Sequence, residues 1–174
     1  MTESRRNHGV GIFVLVLMRR LTCMNLHDVQ IVQNNAKSEL VIIVGDTISK
    51  ATLSEILLTQ GNVSFKADTI LNLDRENLLQ VVANFDDPKH PALCITLNEN
   101  KWKVWENITT RNMNKPVAFV IDGKEYAAPQ IMEPISHGMI SLTGGGFSRS
   151  EVGKLVAIIS SGPLPFKFNI VSIN

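Results

Sequence analysis

The sequence predicts an α+β fold in which antiparallel strands are covered by helices. Three observations carry that expectation. Strand-like alternation and helix-like i, i+3, i+4 spacing interleave along the 174 residues without regular βαβ order. Two turn signals, Asp122-Gly123 and the loop Asp86-Asp87-Pro88-Lys89-His90-Pro91, each separate two strand-like runs, as hairpins do. No internal repeat, low-complexity tract or long linker breaks the pattern.

The first element is a helix over residues 12–21, where Arg19 and Arg20 suit the negative C-terminus of their own helix. Residues 28–33 alternate and residues 39–44 form a continuous apolar run, so both read as strands; Gly45 and Asp46 break the second. Leu53, Ile56 and Leu57 recur at helical spacing within 49–59, and Gly61 stands where a helix end favours positive φ. Val63 and Phe65 alternate as a further strand, and residues 71–75 read as a polar bridge. Strands at 81–85 and 92–97 follow, and Asn98 can cap a helix with Trp102, Trp105 and Ile108 on one face. Pro116 ends that helical region. Residues 117–121 and 124–127 form the arms of the Asp122-Gly123 hairpin, and 139–142 is a short strand closed by Gly144, Gly145 and Gly146. Ser148 and Glu151 then form a capping box for a helix carrying Val152, Leu155, Val156 and Ile159, which Gly162 and Pro163 stop. Phe166, Phe168 and Ile170 alternate as a last strand.

Composition excludes several classes. Lys and Arg total 17 against 16 Asp and Glu, a net charge of +1, so the electrostatic footprint of a nucleic-acid binder is missing. With 44% hydrophobic and 19% charged residues the chain has enough apolar surface to fold rather than remain disordered. Cys23 and Cys94 are too few for a disulfide framework or a metal knuckle. The run GVGIFVLVLM at 9–18, between Arg5-Arg6 and Arg19-Arg20, is half the roughly 20 residues a membrane span needs. Arg19 and Arg20 also occupy the place where small residues lead to a signal cleavage site. It reads as a buried element.

No motif signals an active site. Gly153-Lys154 is followed by Leu155, and Ser148 holds the position of the first phosphate-loop glycine, so that pattern fails twice. A dinucleotide fingerprint fails as well. His8, His27, His90 and His137 are unpaired at metal-ligand spacing, and no nucleophile elbow is present. Asp86 and Asp87 are adjacent and would face opposite ways. Trp102 and Trp105 lack interleaved cations for base stacking and read as core or groove residues. No cofactor, metal or small-molecule substrate is expected.

One stretch is recognisable. Residues 116–165 carry Asp122-Gly123-Lys124, Ala128-Pro129, Glu133-Pro134-Ile135, Gly138, Gly144-Gly145-Gly146-Phe147, Glu151, Ser161-Gly162 and Leu164-Pro165 in that order. This series resembles the head of the large extracytoplasmic domain of SecD, the export subunit that assists the Sec translocon, and of the fused SecDF proteins. More weakly, residues 85–111 are similar to the hairpin and helix before the head's central strand, and residues 15–66 to the ferredoxin-like base of that domain. Val44-Gly45-Asp46 stands where the family has a Leu-Pro-Gly turn, and the first strand of the base is not evident. The resemblance thus implies two units, a ferredoxin-like base over 9–66 and a head over 67–174.

It also implies a role. The family's head is thought to contact emerging preprotein outside the membrane and to move relative to the base. Family members flank this domain with transmembrane helices; none is read here, so proton coupling is assigned to no residue. The expectation is a non-enzymatic extracytoplasmic domain binding unfolded preprotein or Sec translocon components; the alternative is a structural or vestigial domain without an export role. Most motif residues are expected to shape turns. Peptide binding falls to the strand Met139, Ile140, Ser141 and Leu142 and to the loop 127–134, because an exposed edge recruits extended chain through main-chain hydrogen bonds.

Overall fold

Helix α1 spans Glu3–Cys23, longer than the sequence pattern suggests. The computed structural model describes residues 3–34, 39–45, 47–144 and 146–172, with α1 side chains from Val10 onward. Asp46, Gly145 and the side chains of Arg5, Arg6 and His8 lie outside the described residues. Phe13, Val16, Leu17, Arg20 and Leu21 form the buried stripe of α1, spaced i, i+3, i+4, i+7, i+8. The run at 9–18 is therefore half of an ordinary packed helix.

Strands β1 (Gln30–Asn34) and β2 (Glu39–Ile43) pair antiparallel, with Val32 opposite Val41. Helix α2 (Lys50–Leu58) starts at Ser49, whose hydroxyl accepts from the Thr52 amide. Ile31, Leu40 and Ile42 pack with Phe13, Leu17 and Leu57 in one core. Of a ferredoxin-like unit, the described residues thus show the helix–strand–strand–helix middle and a two-stranded sheet.

Strand β3 (Val63–Lys66) leaves this unit. It pairs on one side with β4 (Ile70–Leu73) and on the other with β7 (Ala118–Ile121), which continues to β8 (Lys124–Ala127), giving the order β4-β3-β7-β8. A 3-10 turn at Arg75–Asn77 leads into β5 (Leu78–Asn84), which pairs with β6 (Ala92–Leu97) and, beyond it, β9 (Met139–Leu142). The polar bridge expected at 71–75 is thus a strand and a turn: Leu71 and Leu73 face inward while Asn72 faces out, an alternation masked by its brevity. Helix α3 (Glu99–Arg111) puts Trp105 against Phe65, with ring centroids 4.7 Å apart. Helix α4 (Arg149–Ser161) buries Val152, Leu155, Ile158 and Ile159 in that same core.

Three local expectations are corrected. Phe166, Phe168 and Ile170 join no ladder; the Phe166 and Phe168 rings close around Phe13 at centroid distances of 4.4 and 5.0 Å instead. Asn98 sits at the α3 cap position, but its amide donates to the Glu76 carbonyl. Only half of the capping box forms. Ser148 accepts from the Glu151 amide at 3.1 Å, while the Glu151 carboxylate turns to Lys154 at 2.8 Å, where an ammonium is the stronger partner.

Candidate functional site

Arg20 organises the junction between the two cores. Its spacing places it on the buried stripe of α1, and it is fully buried. The guanidinium donates to the carbonyls of Ile56, Thr59 and Gln60 at the end of α2, and to Ser161 Oγ and the Gly162 carbonyl at the end of α4. Each helix C-terminus carries about half a negative charge, so two together match one guanidinium. Burial lowers the Arg20 pKa to about 10, with the charge of Asp122 acting the other way, so it remains cationic at neutral pH. The expectation that Arg20 serves its own helix end is therefore corrected: it serves two others, and Arg19 stays exposed.

The Asp122-Gly123 turn meets this junction. Asp122 and Gly123 have φ of +50° and +84°, the left-handed pair that a two-residue hairpin turn requires. The Asp122 carboxylate accepts from the Gly61 amide at 3.0 Å, the Asn62 amide at 2.9 Å and the Asn62 side-chain amide at 3.0 Å. Lys124 begins β8 and lies over the Tyr126 ring.

Other motif residues also set backbone geometry. Gly138 has φ +62°, and a Cβ there would lie 2.5 Å from Trp102 Cδ1. The Pro129 carbonyl accepts from the Val117 amide, fixing the loop that leads to exposed Glu133 and Pro134. Gly144 and Gly146 have positive φ, and the Phe147 amide returns to the Gly144 carbonyl as its ring enters the core. Gly162, φ +80°, closes α4 beside Arg75, and Pro165 is exposed.

Strand β9 is an open edge. Among the described residues, the order β5-β6-β9 leaves one side of β9 without a ladder partner. The Leu97 amide bonds to the Gly138 carbonyl, and register then alternates, so Ile140 and Leu142 bond to β6. Met139 and Ser141 therefore direct their amides and carbonyls outward. Ile140 and Leu142 side chains are buried, Met139 is 65% exposed, and no charge lies on the strand.

Among the described residues no group of three or more His, Cys, Asp or Glu is placed to hold a metal. Asp87 and His90 lie 2.6 Å apart in the exposed hairpin loop, and the His90 hydrogen bond, with a second from the Lys89 amide, holds the Asp87 pKa below its usual value. Trp105 is core and Trp102 half-buried, its indole N–H donated to the Leu97 carbonyl at 2.9 Å. No helix among the described residues is long and apolar enough to cross a membrane.

The fold and site define an α+β domain of antiparallel sheets with an open, uncharged edge and turns held by motif glycines. The chain is a member of the SecD/SecDF family: residues 54–166 match the family described as SecDF, P1 head subdomain. The protein translocase subunit SecD of Acidaminococcus fermentans is 25% identical over 161 residues, covering 91% of this chain and 38% of the relative. That of Calditerrivibrio nitroreducens is 30% identical over 139 residues, 79% of this chain and 26% of the relative. The chain therefore spans well under half the length of these relatives. A solved structure of SecDF, described as a membrane component that enhances protein export, superposes with a TM-score of 0.69 at 18% identity, covering 96% of this chain and 93% of that one. SecDF in its super-membrane-facing form gives 0.71 at 18% identity, covering 95% and 28%. The fold is shared with both.

Proposed function

We propose that this chain is a non-enzymatic, extracytoplasmic domain that binds unfolded polypeptide in extended form along β9. The observation that carries this reading is the edge itself: Met139 and Ser141 offer outward main-chain groups on a strand with neither charge nor proline. Natural edges are blunted by such residues, and this one is not. An added strand would gain main-chain hydrogen bonds with little dependence on sequence, which suits a binder of many different chains. Family membership supports a place in protein export. Preprotein and Sec translocon components are the partners proposed, and the head over residues 67–174 is the unit proposed to meet them.

The test is a fluorescence-anisotropy titration of labelled unfolded segments into the purified chain. Saturable binding at tens of micromolar, weakened in Ser141→Pro, supports the reading. Absence of saturation with the fold intact sinks it and favours a structural domain without an export role.

A further inference from the structure

A groove of about 830 Å³ lies on the outer face of the β4-β3-β7-β8 sheet, beside the C-terminal segment that carries Lys167. Its floor is set by register: Ser64 on β3 stands opposite Asn72 on β4 and Val120 on β7, and Lys66 is the next β3 residue on that face. Ser64 is 8% exposed, and its hydroxyl opens into the groove with no hydrogen-bond partner among the described residues. The Asn72 carboxamide beside it has no partner among the described residues either.

The charges here have one sign to spare. Asp122 lines the groove, but both its carboxylate oxygens are taken by Gly61 and Asn62. Lys66 and Lys167 form no ion pair among the described residues. A hydroxyl, a carboxamide and two ammonium groups can all donate, and an acceptor-only group satisfies them together. We infer that this groove binds an acidic segment of extended polypeptide, with Ser64, Asn72 and Lys66 donating to its carboxylate and Lys167 contributing from the opposite wall. The inference takes its ligand class from the polypeptide-binding reading, but its location is independent of β9.

The experiment uses paired fluorescent peptides, unfolded and identical except for Glu or Gln at central positions, titrated into the full chain at low and moderate salt. The Glu peptide is expected to bind about tenfold tighter, in line with a hydrogen bond to a charged group. Lys66→Met and Asn72→Ala should each erase that preference, and Ser64→Ala, which removes no existing bond, should weaken it without lowering Tm. Ser141→Pro should leave the Glu-over-Gln ratio unchanged. Equal binding of the two peptides, or a preference untouched by the groove variants, overturns the inference while the β9 reading stands. Failure of both peptides to bind overturns both.

Discussion

Arg20 Nε donates to Ser161 Oγ at 3.0 Å, joining the first helix to the last across almost the whole chain. Ser161 is itself buried and passes its own hydroxyl proton to the Ile158 carbonyl at 2.8 Å. The contact is one bond of a cluster in which a single cation satisfies the ends of two helices.

Removing that cation should leave the carbonyls of Ile56, Thr59 and Gly162 without their guanidinium donor, while the Gln60 carbonyl keeps the Leu164 amide. Arg20→Met is expected to cost about 3 kcal/mol or more, measured by urea unfolding. Arg20→Lys keeps the charge but not the planar fork and should cost less. A change within 0.5 kcal/mol for Arg20→Met contradicts the balance described here.

Asp122→Ala removes three hydrogen bonds from the Gly61-Asn62 segment and a negative charge that acts on Arg20. A loss of about 1–3 kcal/mol is expected, and Asp122→Asn should recover part of it. Thermal unfolding of the two variants side by side checks the order.

Gly138→Ala would place a methyl group against the Trp102 indole at a backbone conformation that L residues rarely adopt. The expected cost is about 1–3 kcal/mol with a shifted tryptophan emission. An unaltered emission spectrum together with an unaltered Tm contradicts the packing described for Gly138.

Lys154 gives a pH dependence of known sign. Burial pulls its pKa down, but hydrogen bonds and charges from Glu151 and Glu55 outweigh that and hold it above the ordinary 10.5. A base whose pKa is raised on folding stabilises fully below its unfolded value and loses that contribution as pH rises through the folded one. The stability gap between the wild type and Lys154→Met should therefore be level from pH 7 to 10 and shrink above 10.5. Urea midpoints across that range measure it, and a gap that widens with pH would contradict the pairing.

Much of the fold was legible because hairpins and amphipathic helices leave local marks. Asp122-Gly123 announces the β7-β8 turn, and Val152, Leu155 and Ile159 announce α4. β4 was missed because four residues give too few periods to separate from a polar linker. Phe166 and Phe168 alternate, but their rings serve Phe13, a tertiary contact that alternation cannot distinguish from pairing. Arg20 reads from sequence as a helix-end charge because its partners lie on α2 and α4, although it shares one stripe with Phe13, Val16, Leu17 and Leu21. The β9 segment was legible as a strand; that it ends its sheet is a property of topology. Ser64 and Asn72 carry no sequence signal, since only register sets them side by side.

Amide hydrogen exchange by NMR, with and without an unfolded peptide, tests β9 most directly. The outward amides of Met139 and Ser141 should gain protection on peptide addition, while those of Ile140 and Leu142, already bonded to β6, change little. Peptide binding that protects other amides and leaves Met139 and Ser141 exchanging as in the free chain would contradict it.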